Sequence, residues 1–273
     1  MLKRSLAPTV ALALLMAVSL PTAAETIVFA TAPTQSPEAT VQQYQPIVNF
    51  LSRATGKRVE VATTRSFIEY ASRMRKGEFD LIFDGPHFIG WRNQHLDHEV
   101  LAKLPGELRF VVVTRADASI DGVDDLIGRR VCGPAVPNLA TLSVLEQFPN
   151  PARQPVHTPV GGFPAALACV REGRADAAVL RDQFWARQEQ EGYKVVYQTA
   201  QALPDRGFSV TRRVDGATRA QLREALIAMS GDEVVAKALT AIGGASRQGF
   251  VAANDAEYAG LGRLLADVWG FQD

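Results

Sequence analysis

The sequence predicts an α/β protein of two lobes, each built on a mostly parallel β-sheet flanked by helices. Three features predict it: a repeated segment, a βαβαβ order that occurs twice, and two strands that connect the halves. The repeated segment covers residues 67–84 and again residues 163–180. Each copy reads as a helix closed by a glycine, an Asp-led turn, a buried strand and a polar or aromatic tip. Coincidence between two ordinary units is the alternative, and the order of elements along the whole chain favours the repeat.

The first βαβαβ half follows from apolar runs and helical spacing. Strands are predicted at 26–30, 59–62 and 81–83, with helices at 41–54 and 67–75 between them. In the first helix Tyr44, Ile47, Val48 and Leu51 recur at helical spacing, and Gly56 ends it. This order favours a parallel sheet with right-handed crossovers.

The second half repeats this order between two connecting strands. A strand at 108–114 leads out of the first lobe, and a short helix follows at 121–126. Strands at 130–132, 156–160 and 177–180 then alternate with helices at 139–147 and from 163 onward. A strand at 207–211 returns to the first lobe, which helices at 218–229, 232–242 and 255–268 complete. We therefore expect one lobe from 25–113 with 205–273, a second lobe from 114–204, and a hinge in the two connecting strands.

The N-terminus has the pattern of a signal peptide over residues 1–24. Lys3 and Arg4 precede an apolar run at 10–20, and Pro21-Thr22-Ala23-Ala24 offers a small-residue cleavage site. An uncleaved anchor is the alternative, but the run is shorter than the roughly 20 residues of a spanning helix. We expect cleavage near Ala24 and a soluble, exported protein.

Charge and cysteine content narrow the function. The chain balances 29 Lys and Arg against 29 Asp and Glu without a basic stripe, so no nucleic-acid partner is expected. Cys132 and Cys169 fall in the same predicted lobe, and an oxidising compartment favours a disulfide over two buried thiols. The sequence has no nucleophile elbow, phosphate-binding P-loop or dinucleotide fingerprint. We expect no cofactor, no metal and no catalytic residue.

Several segments resemble the phosphate, phosphite and phosphonate-type periplasmic binding proteins of ABC importers. They are 44–51 (YQPIVNFL), 77–86 (GEFDLIFDGP), 123–131 (VDDLIGRRV), 173–176 (GRAD) and a late group of Gly249-Phe250-Val251, Asp255 and Tyr258. The resemblance implies a type II, Venus-flytrap fold and a monomer in the periplasm. It also implies capture of a small molecule for a membrane permease, without catalysis.

The tips that follow the predicted strands supply the candidate ligand site, because ligands of open α/β sheets lie at the carboxyl ends of the strands. The candidates are Thr31, Gln35, Thr63, Thr64, Ser66, Asp84, His87 and Phe88 from the first lobe, and Asn138, Thr141, Gly162, Phe163, Asp182 and Phe184 from the second. A core role is the alternative for the aromatic residues, and Gly162 could serve only a turn. Asp182 matches a place where family members with amino-substituted ligands present a carboxylate. Together with Asp84 it could hold a cationic group. Two carboxylates would oppose a polyanion unless one is protonated or paired with Arg65 or Arg181, and the alternative is that both cap helices or turns.

The sequence departs from the family at the oxyanion positions. Residues 137–141 (PNLAT) stand where many phosphonate binders have a Ser-Thr-Ser-like run, and Gly161-Gly162-Phe163 stands where they often have a His. Fewer hydroxyls and no imidazole mean fewer charge-assisted hydrogen bonds, which disfavours tight phosphonate binding. We expect a small organic or phosphonate-like ligand. A sensing module that docks on a membrane signalling partner is the alternative function, and an enzyme on the same fold is a weaker one.

Overall fold

The computed structural model describes residues 26–243 and 249–271. The predicted signal peptide at 1–24 lies outside this part of the chain. Two sheets with helices packed on them form two lobes, as the sequence predicts. Within the described ranges, no helix combines the length and apolar composition needed to cross a membrane.

The elements follow one another as strands and helices that largely match the predicted order. In chain order they are β1 (Thr26–Thr31), α1 (Pro37–Thr55), β2 (Arg58–Ala62), α2 (Phe67–Arg75), β3 (Leu81–Asp84), α3 (Pro86–His95), β4 (His98–Lys103), β5 (Glu107–Leu108), β6 (Phe110–Arg115), β7 (Arg130–Pro134), α4 (Leu139–Leu145), β8 (Val156–Val160), α5 (Phe163–Arg171), β9 (Ala177–Arg181), α6 (Asp182–Trp185), β10 (Tyr193–Gln198), β11 (Leu203–Pro204), β12 (Gly207–Thr211), α7 (Gly216–Ala228), α8 (Glu233–Gly243) and β13 (Val251–Ala252).

Five strands of the first sheet have the same arrangement as the five strands of the second, which supports the internal repeat, and β13 is an additional edge strand of the first sheet. The first sheet runs β13-β4-β12-β3-β1-β2 and the second runs β10-β6-β9-β7-β8. In each, the first strand of the repeat pairs in parallel with the second and third. An antiparallel strand from outside the unit then pairs with the third strand: β12, which comes much later in the chain, pairs with β3, and β6, which directly precedes the second unit, pairs with β9. Each lobe therefore contains a central strand that the chain supplies from outside its own βαβαβ unit.

The crossover between the lobes is a short two-stranded ribbon. β5 pairs with β11 in antiparallel register, Leu203 opposite Leu108. The predicted hinge strands at 110–114 and 208–211 instead lie inside the two sheets, as parts of β6 and β12. The predicted lobe limit after residue 113 would divide β6, which pairs entirely within the second sheet.

Three local differences from the prediction have clear physical causes. Helix α1 begins four residues earlier than the apolar pattern indicates, because the Ser36 hydroxyl caps it and Pro37 occupies its first turn. The helix predicted at 255–268 is two 3-10 turns, Asp255–Tyr258 and Leu261–Leu265, separated by Gly260 at φ 73°. Helix α3 has no counterpart in the prediction, because it is buried on nearly all sides and lacks an amphipathic period.

The C-terminal turns cover α3 at very short range. A side chain at Gly90 of α3 would place its Cβ 2.6 Å from the carbonyl oxygen of Tyr258. A side chain at Gly262 would place its Cβ 2.8 Å from the backbone of Trp91. Glycine at these two positions therefore lets the backbone of the late turns lie directly on α3 and bury it.

Apolar packing continues from one lobe into the other. One cluster lies under α1, α7 and α8 and includes Ile47, Phe208 and Leu222. A second cluster contains Phe88 of α3, Leu139 of α4 and Leu264 of the C-terminal turns, so both lobes contribute to it. The lobes are thus packed against one another around the space between them.

A disulfide joins β7 to α5 within the second lobe. Cys132 and Cys169 form it, at a sequence separation of 37 residues, and no free cysteine occurs among the described residues. Both residues are fully buried beside Ala166 and Leu180. The bridge fixes the helix of the second repeat copy to its sheet.

Removing this bridge should destabilise the second lobe. A variant with Cys132→Ala and Cys169→Ala is expected to unfold with a free energy about 2–4 kcal/mol lower than the oxidised protein, because the unfolded chain regains loop entropy. Denaturant unfolding measures the difference. Thiol titration of the denatured, unreduced protein should detect no free thiol, and two titratable thiols would contradict the bridge.

Candidate functional site

A cavity of about 350 Å³ lies between the two lobes. Its wall combines the carboxyl ends of β1, β3 and β9 with the first turns of α2, α3, α4 and α5. The lining residues are Thr31, Ala32, Thr34, Tyr44, Phe67, Phe83, Asp84, Gly85, Pro86, His87, Phe88, Leu108, Phe110, Pro137, Asn138, Leu139, Phe163, Arg181, Asp205 and Arg206. A volume of this size at the strand ends suits a small organic molecule.

Helix N-termini face this cavity from both lobes. Helix α3 follows Gly85 and helix α5 follows Gly162, and neither has a side-chain cap. Gly162 has φ 111°, a conformation that other residues rarely adopt, so glycine here allows the sharp entry into α5. The first amides of these helices carry the positive end of the helix dipole, and they favour negative charge in the cavity.

Aromatic side chains form much of the wall. The rings of Phe67 and Phe88 lie nearly parallel, with centroids 6.3 Å apart. On the opposite lobe Phe163 faces the cavity and Phe184 packs behind it at 6.1 Å. Phe110 of β6 adds a further apolar surface. This wall can bury an apolar body of a ligand, with the polar groups confined to a few positions.

Asp84 lies at the base of the cavity in a fully buried ion pair. Both of its carboxylate oxygens accept hydrogen bonds from Arg92 of α3, each at 2.7 Å. The phenol of Tyr70 donates to the same carboxylate. Arg92 also donates to the hydroxyl of Ser209 on β12 at 2.9 Å. The partner of Asp84 is therefore Arg92, and neither Arg65 nor Arg181 supplies that charge.

A second charged group lies at the hinge side of the cavity. Arg181, at the end of β9, donates to the carboxylate of Asp205 at 3.0 Å. Arg206 lies 3.6 Å from the other oxygen of that carboxylate, and its guanidinium also lies over the ring of Phe83 at 5.6 Å. The Asp205 carboxylate therefore forms ion pairs with two arginines of the cavity wall.

His87 connects the lobes across the cavity. Its Nε2 lies 2.9 Å from the carbonyl oxygen of Pro137 in the second lobe, so Nε2 carries the proton and donates. Its Nδ1 is buried and has no partner among the described residues. Burial disfavours the charged ring and lowers the pKa of His87 to about 4, although Asp84 and the Pro137 carbonyl act in the opposite direction. The imidazole is neutral at neutral pH.

The structure brings part of the predicted site together. Thr31, Asp84, His87, Phe88, Asn138 and Phe163 line the cavity. The other predicted residues do not appear on its wall in the described part of the chain; they are Gln35, Thr63, Thr64, Ser66, Thr141, Gly162, Asp182 and Phe184.

The predicted site residues that lie off the cavity wall mostly have local structural roles. The Ser66 hydroxyl caps α2, and the Thr141 hydroxyl donates to the carbonyl of Pro134 at 2.6 Å. Gln35 pairs with the side chain of Gln43 at 2.6 Å. Asp182 starts the short helix α6, and its amide donates to the carbonyl of Arg109 at 3.0 Å. The residue of this tip that reaches the cavity is Arg181, one position earlier.

Several wall residues were not among the predicted candidates. Phe67 and Phe83 directly adjoin predicted tips, but the sequence predicts only a helix and a strand at these positions. Tyr44 was assigned to the core face of α1, and burial indeed raises its pKa. Asp205 and Arg206 follow β11 of the ribbon between the lobes, and no local sequence pattern predicts where this ribbon lies. Only the position of Arg181 at a strand end carries a usable sequence signal.

Sequence comparison identifies the family. The profile of the family described as "ABC transporter, phosphonate, periplasmic substrate-binding protein" matches residues 29–258. The chain belongs to this family. Membership in this periplasmic binding-protein family implies a periplasmic location and work with an ABC transporter. No curated protein sequence matches the chain.

Solved structures of other proteins share the fold of this phosphonate-family protein. A Xanthomonas citri protein solved with ATP bound is 16% identical, with a TM-score of 0.70 over 90% of this chain and 97% of that one. PhnD1 of Prochlorococcus marinus in complex with methylphosphonate is 16% identical, with a TM-score of 0.65 over 89% and 98%. A phosphonate-transporter binding protein of Pseudomonas aeruginosa is 15% identical, with a TM-score of 0.61 over 86% and 83%. At these identities the likeness establishes the fold.

Replacing Arg92 should leave a buried charge under the site. Arg92→Met is expected to lower the free energy of unfolding by about 3–5 kcal/mol, because the Asp84 carboxylate then lacks its cation. A double variant with Asp84→Asn should regain part of this loss, and Arg187→Met, at an exposed position, should change little. Urea unfolding measures all three, and a wild-type stability of Arg92→Met would contradict the role of the pair.

The buried His87 should make the protein sensitive to mild acid. Its pKa is about 4 in the folded protein and 6.5 when exposed, so the unfolded chain binds the proton more readily. The stability contribution is present above the unfolded pKa and is lost as the pH falls toward the folded pKa. Between pH 7 and pH 5 the wild type should lose roughly 2 kcal/mol more stability than His87→Gln. His95→Gln, at an exposed position, should follow the wild type, and identical pH profiles of His87→Gln and wild type would contradict this assignment.

Proposed function

We propose that this protein is an exported solute-binding protein that captures a small organic or phosphonate-like ligand between its lobes for the permease of an ABC importer. Membership in the phosphonate-type family supports delivery to such a permease. The proposed site is the cavity of about 350 Å³. Export would follow cleavage near Ala24, which N-terminal sequencing of the secreted protein tests.

The observation that carries the proposal is that both lobes supply the cavity wall. Thr31, Asp84 and Phe88 come from the first lobe, whereas Asn138, Phe163 and Arg181 come from the second. A ligand that contacts both sets of residues stabilises the arrangement in which the lobes are together. The lobes are joined through the narrow ribbon of β5 and β11, which suits opening and closure by rigid rotation.

Ligand binding should depend on the aromatic wall. We expect Phe67→Ala to weaken binding of the captured solute at least tenfold, since the loss of a buried phenyl contact costs roughly 1.5–3 kcal/mol. Ile68→Ala is the matched control, because Ile68 is the next residue of α2 and its side chain is exposed. A thermal-shift screen of the protein from residue 25 onward against phosphonates, sulfonates, carboxylates and amines finds the solute, and titration calorimetry compares the variants.

The outcomes of this screen separate the possibilities. At a hundredfold excess over Kd, a ligand of the folded state adds about 2.7 kcal/mol to stability. Equal affinities of Phe67→Ala and Ile68→Ala would move the site away from this cavity. Stimulation of a reconstituted ABC permease by the loaded protein would support delivery, whereas stimulation of a membrane kinase alone would favour the sensing alternative.

A further inference from the structure

Arg181 presents unused hydrogen-bonding capacity to the cavity. Its Nη2 donates to the Asp205 carboxylate at 3.0 Å and to the carbonyl of Glu107 at 3.3 Å. Its Nε is buried and has no hydrogen-bond partner among the described residues. A guanidinium has five N–H donors, so donors other than this inaccessible Nε remain for an anion in the cavity that Arg181 lines.

The charges around the cavity leave one cation unmatched. Arg92 occupies the carboxylate of Asp84, and Arg181 and Arg206 share the single carboxylate of Asp205. Among the described residues of the wall and its immediate backing, three guanidinium groups therefore face two carboxylates. The neutral imidazole of His87 changes nothing in this balance. The excess positive charge favours one negative charge on the ligand.

Some polar side chains at or near the wall are already engaged in hydrogen bonds within the protein. The hydroxyl of Thr31 donates to the carbonyl of Phe83 at 2.7 Å, and that of Thr141 is directed to Pro134. The side-chain oxygen of Asn138 accepts from the amide of Ala140 as a helix cap. A doubly charged head group would bring one negative charge for which the surrounding ion pairs leave no cation, which is costly.

The rest of the wall suits an apolar body. Phe67 and Phe88 lie on one side and Phe110 and Phe163 belong to the other lobe. These rings can bury a carbon skeleton that a bare inorganic anion lacks.

We propose that the cavity binds an organic ligand with a single negative charge, whose anionic head group contacts Arg181 and whose apolar body packs between the phenylalanines of the two lobes. This assignment rests on the proposed function as a solute-binding protein and narrows its ligand class. It separates this chain from a binder of fully ionised phosphonates.

A matched series of probes tests the charge. Phenylphosphonate carries two negative charges at mildly alkaline pH, whereas its monomethyl ester carries one on the same body. Benzoate and neutral benzamide form a second pair, and benzylamine supplies a cation. Titration calorimetry should give at least tenfold tighter binding for the monomethyl ester than for phenylphosphonate, and for benzoate than for benzamide.

Two neighbouring variants test the contact. Arg181→Gln should weaken binding of benzoate and of the monomethyl ester at least tenfold, because a charge-assisted hydrogen bond is lost. Asp182→Asn, one residue further and off the cavity wall, should leave both affinities within about twofold. Unfolding curves of both variants check that the fold is kept.

Each contrary result has a distinct meaning. Preference for phenylphosphonate or benzylamine, or an unchanged affinity of Arg181→Gln, would overturn the monoanion assignment and leave solute binding in place. If none of the probes binds, charged or neutral, both the monoanion assignment and the assignment of this cavity as the solute site are wrong. Loss of binding in Asp182→Asn but not in Arg181→Gln would return the anchor to Asp182.

Discussion

The buried pair of Asp84 and Arg92 is the interaction on which the first lobe and the cavity depend. Asp84 ends a central strand, and Arg92 comes from a helix that the sheet and the C-terminal turns enclose. Around this pair, Tyr70 of α2 and Ser209 of β12 complete the hydrogen bonds. A buried ion pair is tolerated only when such partners satisfy it. One carboxylate therefore fixes two helices and two strands at the base of the cavity.

This pairing also determines the electrostatics of the space above it. A carboxylate at the end of β3 without a cation would repel an anionic ligand. With its charge matched from below, Asp84 contributes shape and polarity instead of repulsion. The charge of the cavity then depends on Arg181, Arg206 and Asp205 at the hinge. The same groups lie next to the ribbon of β5 and β11 that joins the lobes.

Most of the fold is predictable from the sequence because it rests on local signals. Apolar spacing in α1, the glycine after each repeat helix and the Asp-led turns specify two similar units. Contacts between elements that are distant along the chain cannot be predicted from these local signals. Helix α3 is covered on nearly all sides by the turns near Gly262, so it shows no polar face. In the site, the strand-end rule correctly places Thr31, Asp84 and Phe163 on the wall. The same rule does not distinguish Arg181 from Asp182. Which of these two adjacent residues faces the cavity depends on packing against the ribbon between the lobes.

The exchange of strands between the halves of the chain bears on how the protein is made. In the first sheet, Ile82 of β3 pairs with Ser209 of β12, so the sheet stays open at its centre until the entire second lobe has been synthesised. Contacts this distant along the chain form slowly, since a long loop must close first. An N-terminal half that emerges alone cannot complete its core. The first sheet thus closes late, whereas the second sheet, whose strands all lie within residues 110–198, needs no later part of the chain, so the second lobe can form before the first.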